Sequence, residues 1–256
     1  MTAKLAKKLA ATDPVVGSWV SVGHPSVAEV TAQVDFDTVV IDLEHTPTSL
    51  ETVQSMVHAV EAADGDTEPL IRVPSNDRVF IKRVLDTGPA GIIVPMVDSP
   101  EEAREIVEST QYPPEGARGI AGSRATGYGQ NLEEYVTSAN DSILTLVQIE
   151  TEKAVDRAED IAAVDGIDAL FVGPADLSGA MDMFGRWGSE AFAEALETVV
   201  ESAHDVGTPV GTLALREADI QARVDQGFDF LVVGKDTKYI ADESRRFKQL
   251  YENYAP

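Results

Sequence analysis

The sequence predicts a (β/α)8 barrel of the TIM type, with residues 1–256 forming one domain. Eight short segments rich in Val, Ile and Leu recur along the chain. Stretches with a 3.6-residue apolar rhythm separate them, so strand and helix alternate eight times. Several of the apolar segments lack polar alternation, as parallel strands covered on both faces do.

The expected strands are "VVGSWV" at 15–20, "TVVIDL" at 38–43, "PLIRV" at 69–73 and "GIIVPMV" at 91–97. They continue with "ILTLVQIE" at 143–150, "ALFVGP" at 169–174, "PVGTLA" at 209–214 and "FLVVGK" at 230–235. Ser26 with Glu29, and Thr48 with Glu51, have the spacing of capping boxes at helix starts. Ser99 followed by Pro100 marks a third start, with proline at the first helical position. "EKAVDRAEDIAAV" and "SEAFAEALETVVESAHDV" supply two more helices. The last helix is expected from about Thr237 to Tyr254, with Ile240, Phe247, Leu250, Tyr251 and Tyr254 on one stripe. A long Gly-, Pro- and Arg-rich connection occupies 112–131, a length that often carries function. A doubly wound open sheet competes, but "SVGHPS" at 21–26 is a poor phosphate-binding turn.

Composition narrows the chemistry. With no cysteine, disulfides, thiolate metal sites and cysteine nucleophiles are excluded. No apolar run reaches the ~18 residues of a membrane span, and the N-terminus lacks the pattern of a secretory leader. A cytoplasmic protein is therefore expected. Asp and Glu number 44 against 20 Lys and Arg, a net charge of −24. Such a chain repels a phosphate backbone, so nucleic acid is not an expected partner. An evenly acidic surface suits a salt-rich cytoplasm, where self-repulsion is screened, as in a halophile.

In a parallel barrel the C-terminal strand ends share one face, and catalytic groups gather there. The polar residues at those ends are Asp42, Glu44 and His45, then Arg72, then Gln148 and Glu150, then Gly173, Pro174 and Asp176. Glu150 and Asp176 offer two hard oxygen ligands, enough for Mg2+ or Mn2+ if substrate and water complete the shell. Arg72 suits a developing enolate oxygen or a carboxylate. His45 suits proton transfer near neutral pH, with Asp42 or Asp86 to orient its ring. Glu44 reads as a buried partner rather than a catalyst. The implied reaction class is proton abstraction beside a carbonyl, or carbon–carbon cleavage.

Six motifs occur in register: "VVIDLEH", "PLIRVPSND", "IKRVLDTGPAGIIVPMV", "YPPEGARGI", "VQIET" and "LFVGPADLS". Together they closely resemble the HpcH/HpaI family of metal-dependent pyruvate aldolases, which includes 4-hydroxy-2-oxoheptanedioate and 2-dehydro-3-deoxy sugar-acid aldolases. The resemblance implies a barrel, a divalent Mg2+ or Mn2+ ion, no organic cofactor, and reversible cleavage of a small-molecule 2-oxo acid to pyruvate and an aldehyde. It implies a homo-oligomer, a hexamer built as a trimer of dimers that exchange a C-terminal helix. It assigns the metal to Glu150 and Asp176, acid–base work to His45, and enolate stabilisation to Arg72. Gln148 and the backbone at Gly173 and Ala175 become pyruvate contacts, and Asp42 and Asp86 support the histidine. Thr46 stands where the family often has glycine, on the aldehyde side of the cavity.

Three other readings remain at this level. A Schiff-base aldolase needs a cavity lysine, and Lys235 is the only lysine at a strand end. An acyl-CoA lyase of the malyl-CoA type uses the same barrel but calls for a cationic nucleotide site. A non-catalytic oxo-acid-binding protein would show an incomplete set of active-site residues.

Overall fold

The computed structural model describes residues 4–255. Eight parallel strands close into a barrel in sequence order. They are β1 Val15–Val20, β2 Thr38–Asp42, β3 Glu68–Arg72, β4 Gly91–Val94, β5 Leu144–Ile149, β6 Ala169–Val172, β7 Val210–Leu213 and β8 Phe230–Lys235. Closure comes from β1 pairing β8, with Val15 opposite Phe230 and, after a register shift, Trp19 opposite Lys235.

Period-2 alternation sorts the strand residues into two cores. Val40, Leu70, Ile93, Leu146, Phe171, Phe230 and Val232 belong to one cluster with Trp19, inside the barrel. Val39, Ile41, Ile71, Ile92, Val94 and Val172 belong to the other, under the helices. Both faces are apolar, which is why the sequence shows little alternation. Aromatic rings fill the interior: Trp19 and Phe171 lie 6.0 Å apart, and Phe171 and Phe230 5.7 Å. Gly211 makes room for them, since a Cβ there would stand 2.7 Å from Phe230 and 3.0 Å from Phe171.

The helices are α1 Lys4–Ala10, α2 Pro25–Ala32, α3 Leu50–Ala62, α4 Arg78–Leu85, α5 Pro100–Thr110 and α6 Leu132–Ser138. They continue as α7 Glu152–Val155, α8 Ala158–Ala162, α9 Pro174–Ala180, α10 Glu190–Asp205, α11 Glu217–Asp225 and α12 Asp236–Tyr254. Two caps differ from expectation. α2 begins at Pro25 with His24 as cap, its Nδ1 accepting from the Ser26 amide at 3.1 Å. Proline fixes the first helical φ, so the cap moves back from Ser26 to the residue before it. α3 is capped by Ser49, which accepts from the Thr52 amide, rather than by Thr48. Ser99 caps α5 as expected, accepting from the Glu102 amide. "EKAVDRAEDIAAV" is two short helices, α7 and α8, broken at Asp156 and Arg157.

α1 has no counterpart in the sequence reading. It is a short amphipathic segment whose Leu5 and Leu9 are buried in the interior cluster. Glu68, at the start of β3, accepts from the Leu5 amide at 2.7 Å, which fixes α1 at the N-terminal end of the barrel. At the other terminus α12 stands mostly exposed. Of its 19 residues only Asp236 is buried, and Ile240, Phe247, Tyr251 and Tyr254 are open to solvent. Asp236 anchors it by accepting from the amides of Ser21, Val22 and Thr237.

No helix among the described residues is long and apolar enough to cross a membrane.

Candidate active site

The alternation that fills the barrel also builds its upper rim. Asp42 continues the inward row of Val40, Arg72 that of Leu70, and Gln148 and Glu150 that of Leu146. In these rows the middle residues, Val40, Leu70 and Leu146, are apolar and the last ones polar. A cavity of about 340 Å³ opens there, lined by Trp19, His45, Arg72, Gln148, Glu150 and Asp176 among others. Gly173, Pro174, Ala175, Leu213, Leu215, Arg216, Arg223 and Lys235 complete much of its wall. Larger grooves of about 890 and 1530 Å³ lie elsewhere but bring together none of these groups.

Arg72 is the most constrained cation. Its Nε and Nη2 donate to the two oxygens of Asp42 at 2.9 Å each, a bidentate pair between facing residues of β2 and β3. Its Nη1 lies 2.7 Å from Glu44, and its guanidinium stacks 4.7 Å from the Trp19 ring. Asp42 is buried. Burial alone would raise its pKa, but the pairing with Arg72, the Glu44 amide and the Trp19 indole prevail and hold it below the usual range.

Asp42 is thus committed to Arg72 and does not orient His45. His45 is 66% exposed, and the acid nearest to it is Glu44, at 3.8 Å. Asp86 is also corrected. It caps the C-terminus of α4, and helices of this fold return antiparallel to the strands, so Asp86 is carried toward their N-terminal ends. There it faces Arg118 at 3.4 Å, away from this cavity. Glu44, read from the sequence as a partner only, bridges Arg72 and His45; burial raises its pKa more than Arg72 lowers it.

Glu150 lies deepest. Its Oε1 accepts from Gln148 Nε2 at 2.8 Å and its Oε2 from the Met96 amide at 3.0 Å. Met96 adopts a left-handed φ of 56°, which aims that amide at the carboxylate. Burial pushes the Glu150 pKa up to about 7, and the negative charges of Asp176 and Glu44 add to the rise. Gly173 must be glycine: a Cβ there would collide with Glu150 Oε1 and its side-chain carbons. Asp176 sits in the first turn of α9, exposed to the cavity, and Ala175 beside it carries a first-turn amide with no intrahelical acceptor.

These donors fit a divalent ion. Two hard carboxylates are held close enough to repel, and the buried Gln148 Oε1 has no hydrogen-bond partner among the described residues. Among the described residues no cluster of three or more His, Asp or Glu forms a closed ligand cage. Two protein carboxylates with the remaining positions open is how Mg2+ is usually held beside a substrate.

The sequence brought Arg72, Gln148, Glu150, Gly173, Ala175, Asp176 and His45 to this cavity. It missed Trp19, the Met96 amide and the wall formed by Leu213, Leu215, Arg216, Arg223 and Lys235. Of these, only Lys235 left a signal, as a charge ending an apolar strand.

A family model described as HpcH/HpaI aldolase/citrate lyase matches residues 16–242. The chain is 38% identical over 253 residues to a hydroxypyruvate/pyruvate aldolase of Paraburkholderia phytofirmans, covering 97% of each chain. It is 40% identical over 242 residues to a 4-hydroxy-2-oxovalerate aldolase of Novosphingobium aromaticivorans, covering 91% of this chain and 90% of that one. The crystal structure of an HpcH/HpaI aldolase/citrate lyase family protein from Burkholderia cenocepacia superposes with a TM-score of 0.95 at 32% identity, over 98% of this chain and 100% of that one. With a model match spanning most of the barrel and relatives covered end to end, the chain belongs to the HpcH/HpaI aldolase/citrate lyase family.

Proposed function

We propose that the chain is a class II carbon–carbon lyase that reversibly cleaves a 4-hydroxy-2-oxo acid to pyruvate and an aldehyde. The observation that carries this reading is the 340 Å³ cavity that Glu150 and Asp176 share with Arg72, Gln148 and His45. The relatives named as aldolases, matched over nearly their whole length, support it.

Glu150 and Asp176 would hold the ion, Mg2+ or Mn2+, and the buried Gln148 Oε1, unpartnered among the described residues, lines the same cavity. Held by these residues, such an ion would supply Lewis-acid polarisation of the 2-oxo group and so favour the enolate. Arg72 offers its guanidinium to the oxygen on which charge develops. It is fixed in advance by Asp42, Glu44 and Trp19, so no reorganisation is needed at the moment of reaction. The Ala175 amide receives the carboxylate of the oxo acid. His45 takes the proton of the 4-hydroxyl as the C3–C4 bond breaks; the electron pair of that bond becomes the enolate, and a proton returned to C3 gives pyruvate. Glu44, 3.8 Å from His45, holds the imidazole near the mouth.

The reaction takes place in the cytoplasm in this reading. The exposed stripe of α12 is covered by a second copy, within a hexamer of exchanged dimers.

The test uses purified protein in high salt with a panel of 2-dehydro-3-deoxy acids, Mg2+ or Mn2+, and pyruvate detection. Pyruvate release that is abolished by EDTA and restored by either ion is expected. Full activity after thorough chelation overturns the proposal.

A further inference from the structure

We propose that Thr46 is a positioning residue, whose hydroxyl ties the turn that carries His45 to the end of β2. This rests on the aldolase reading above and adds to it what holds the proton-transferring imidazole in place.

The turn has little else to hold it. Residues 44–48 lie between the end of β2 and the Ser49 cap of α3 and belong to neither element. The last backbone pairing before them is the Leu43 amide on the Arg72 carbonyl, at 2.9 Å. The first after them is the Val53 amide on the Ser49 carbonyl, also at 2.9 Å. Among the described residues, 44–48 themselves make no backbone-to-backbone hydrogen bond. Side chains therefore shape the turn. The Glu44 amide donates to Asp42 Oδ1 at 3.1 Å. The Thr46 hydroxyl donates to the Asp42 carbonyl at 2.5 Å, closing a loop over His45. The same hydroxyl lies 2.9 Å from that of Thr48 and accepts from the Thr48 amide at 3.4 Å.

The imidazole depends on this turn for its position. Its ring is 66% exposed, and Glu44, at 3.8 Å, attracts it from beyond hydrogen-bond reach. Asp42 is a firm anchor, because it is buried and its carboxylate is locked to Arg72 by two bonds of 2.9 Å. A hydroxyl fastened to Asp42 thus sets His45 in register with Arg72. The other side of the turn is braced as well. A Cβ on Gly23 would stand 2.5 Å from the Thr48 hydroxyl, so the β1–α2 loop presses on the same turn. That loop is pinned in its own right, with the Ser21 and Val22 amides donating to Asp236. Thr46 is not among the residues that line the cavity, so it acts through its neighbour rather than on substrate. The effect falls on catalysis, because a proton is passed only across hydrogen-bond distance and about 1 Å of misplacement can cost about 100-fold.

The experiment takes the acid of the 2-dehydro-3-deoxy panel that the wild type cleaves fastest with Mn2+. Thr46→Ala and Thr46→Ser differ by the hydroxyl alone, and Thr46→Val keeps the shape without the proton donor. Thr46→Ala and Thr46→Val are expected to lower kcat by about 10- to 100-fold with KM within about twofold of wild type. Thr46→Ser should stay within about threefold of wild type in both constants. Circular dichroism should be the same for all, since Thr46 lies outside both cores. In a His45→Gln background, Thr46→Ala should cost no more than about twofold further, because the group it positions is gone. An unchanged kcat in Thr46→Ala or Thr46→Val overturns the inference, as does a loss confined to KM. So does a Thr46→Ser enzyme as slow as Thr46→Ala, or a full additional loss on top of His45→Gln. A His45→Gln enzyme as fast as wild type takes the proton transfer away from His45 and overturns it too. These outcomes leave metal-dependent cleavage standing, whereas a wild type that releases pyruvate from no acid of the panel loses the aldolase reading itself.

Discussion

Gly173 owes its identity to Glu150. Any side chain there meets the Glu150 carboxyl head-on, so Gly173→Ala must push the deepest acid out of place. Displacement of about 1 Å can cost about 100-fold in rate, and Gly173→Ala is expected to lower kcat/KM at least that much with the fold retained, measured by pyruvate release and circular dichroism. Asp168 gives a pH prediction away from the site. Burial pushes its pKa up to about 6, against the Thr145 amide that favours its charged form. An acid with a raised folded pKa holds its proton more tightly when folded. The stability this gives is complete below its ordinary value and is lost as pH rises through about 6. Asp168→Asn, whose amide oxygen can still accept from Thr145, should raise Tm by about 2–4 °C at pH 7.5 and change it little at pH 4. Much at this scale was legible, because a charge at the end of an apolar strand has few bland explanations. Trp19 was not, since one aromatic in an apolar run looks like core and is core; its second role, against Arg72, exists only in three dimensions. Asp86 misled because a motif fixes sequence position, whereas the direction of its helix fixes which end of the barrel it reaches.

At the level of elements the strands were the clearest part. Helices cover the outside of the sheet and aromatic rings fill the inside, so both faces of each strand had to be apolar. Helix ends were less legible: Pro25 drew the cap of α2 back to His24, and Thr48 and Ser49 offered rival caps for α3. α1 was missed because its two buried leucines are set among lysines, too short a pattern to register as a period. α12 was foreseen, and its exposed stripe asks for a partner. Phe247 is 62% and Tyr251 74% exposed on a helix anchored by little more than Asp236 and Tyr239, whose hydroxyl meets Ser18 at 3.2 Å. The double variant Phe247→Asp, Leu250→Asp should shrink the particle seen by light scattering toward the 27.4 kDa protomer while leaving the circular dichroism of the barrel intact. A particle of unchanged mass would show that α12 does not hold copies together.

For the molecule as a whole, charge sets the working conditions. With 44 acids against 20 bases, self-repulsion opposes compaction at low ionic strength. Screening lengths fall from about 10 Å at 0.1 M salt to about 3 Å at 1 M. The unfolding midpoint is expected to climb steadily from 0.1 to 2 M KCl in calorimetry; a flat profile would remove the halophilic reading.

Among the described residues, Leu5 and Leu9 fill the N-terminal end of the barrel interior in the same cluster as Trp19, Phe171 and Phe230, so in the proposed reaction both fragments leave by the mouth of the cavity. If the aldehyde fragment forms on the mouth side of Glu150, as the proposed reaction has it, whatever lies against Glu150 is the last to depart. Steady-state kinetics should register a queue: pyruvate inhibiting competitively against the parent acid, and the aldehyde non-competitively.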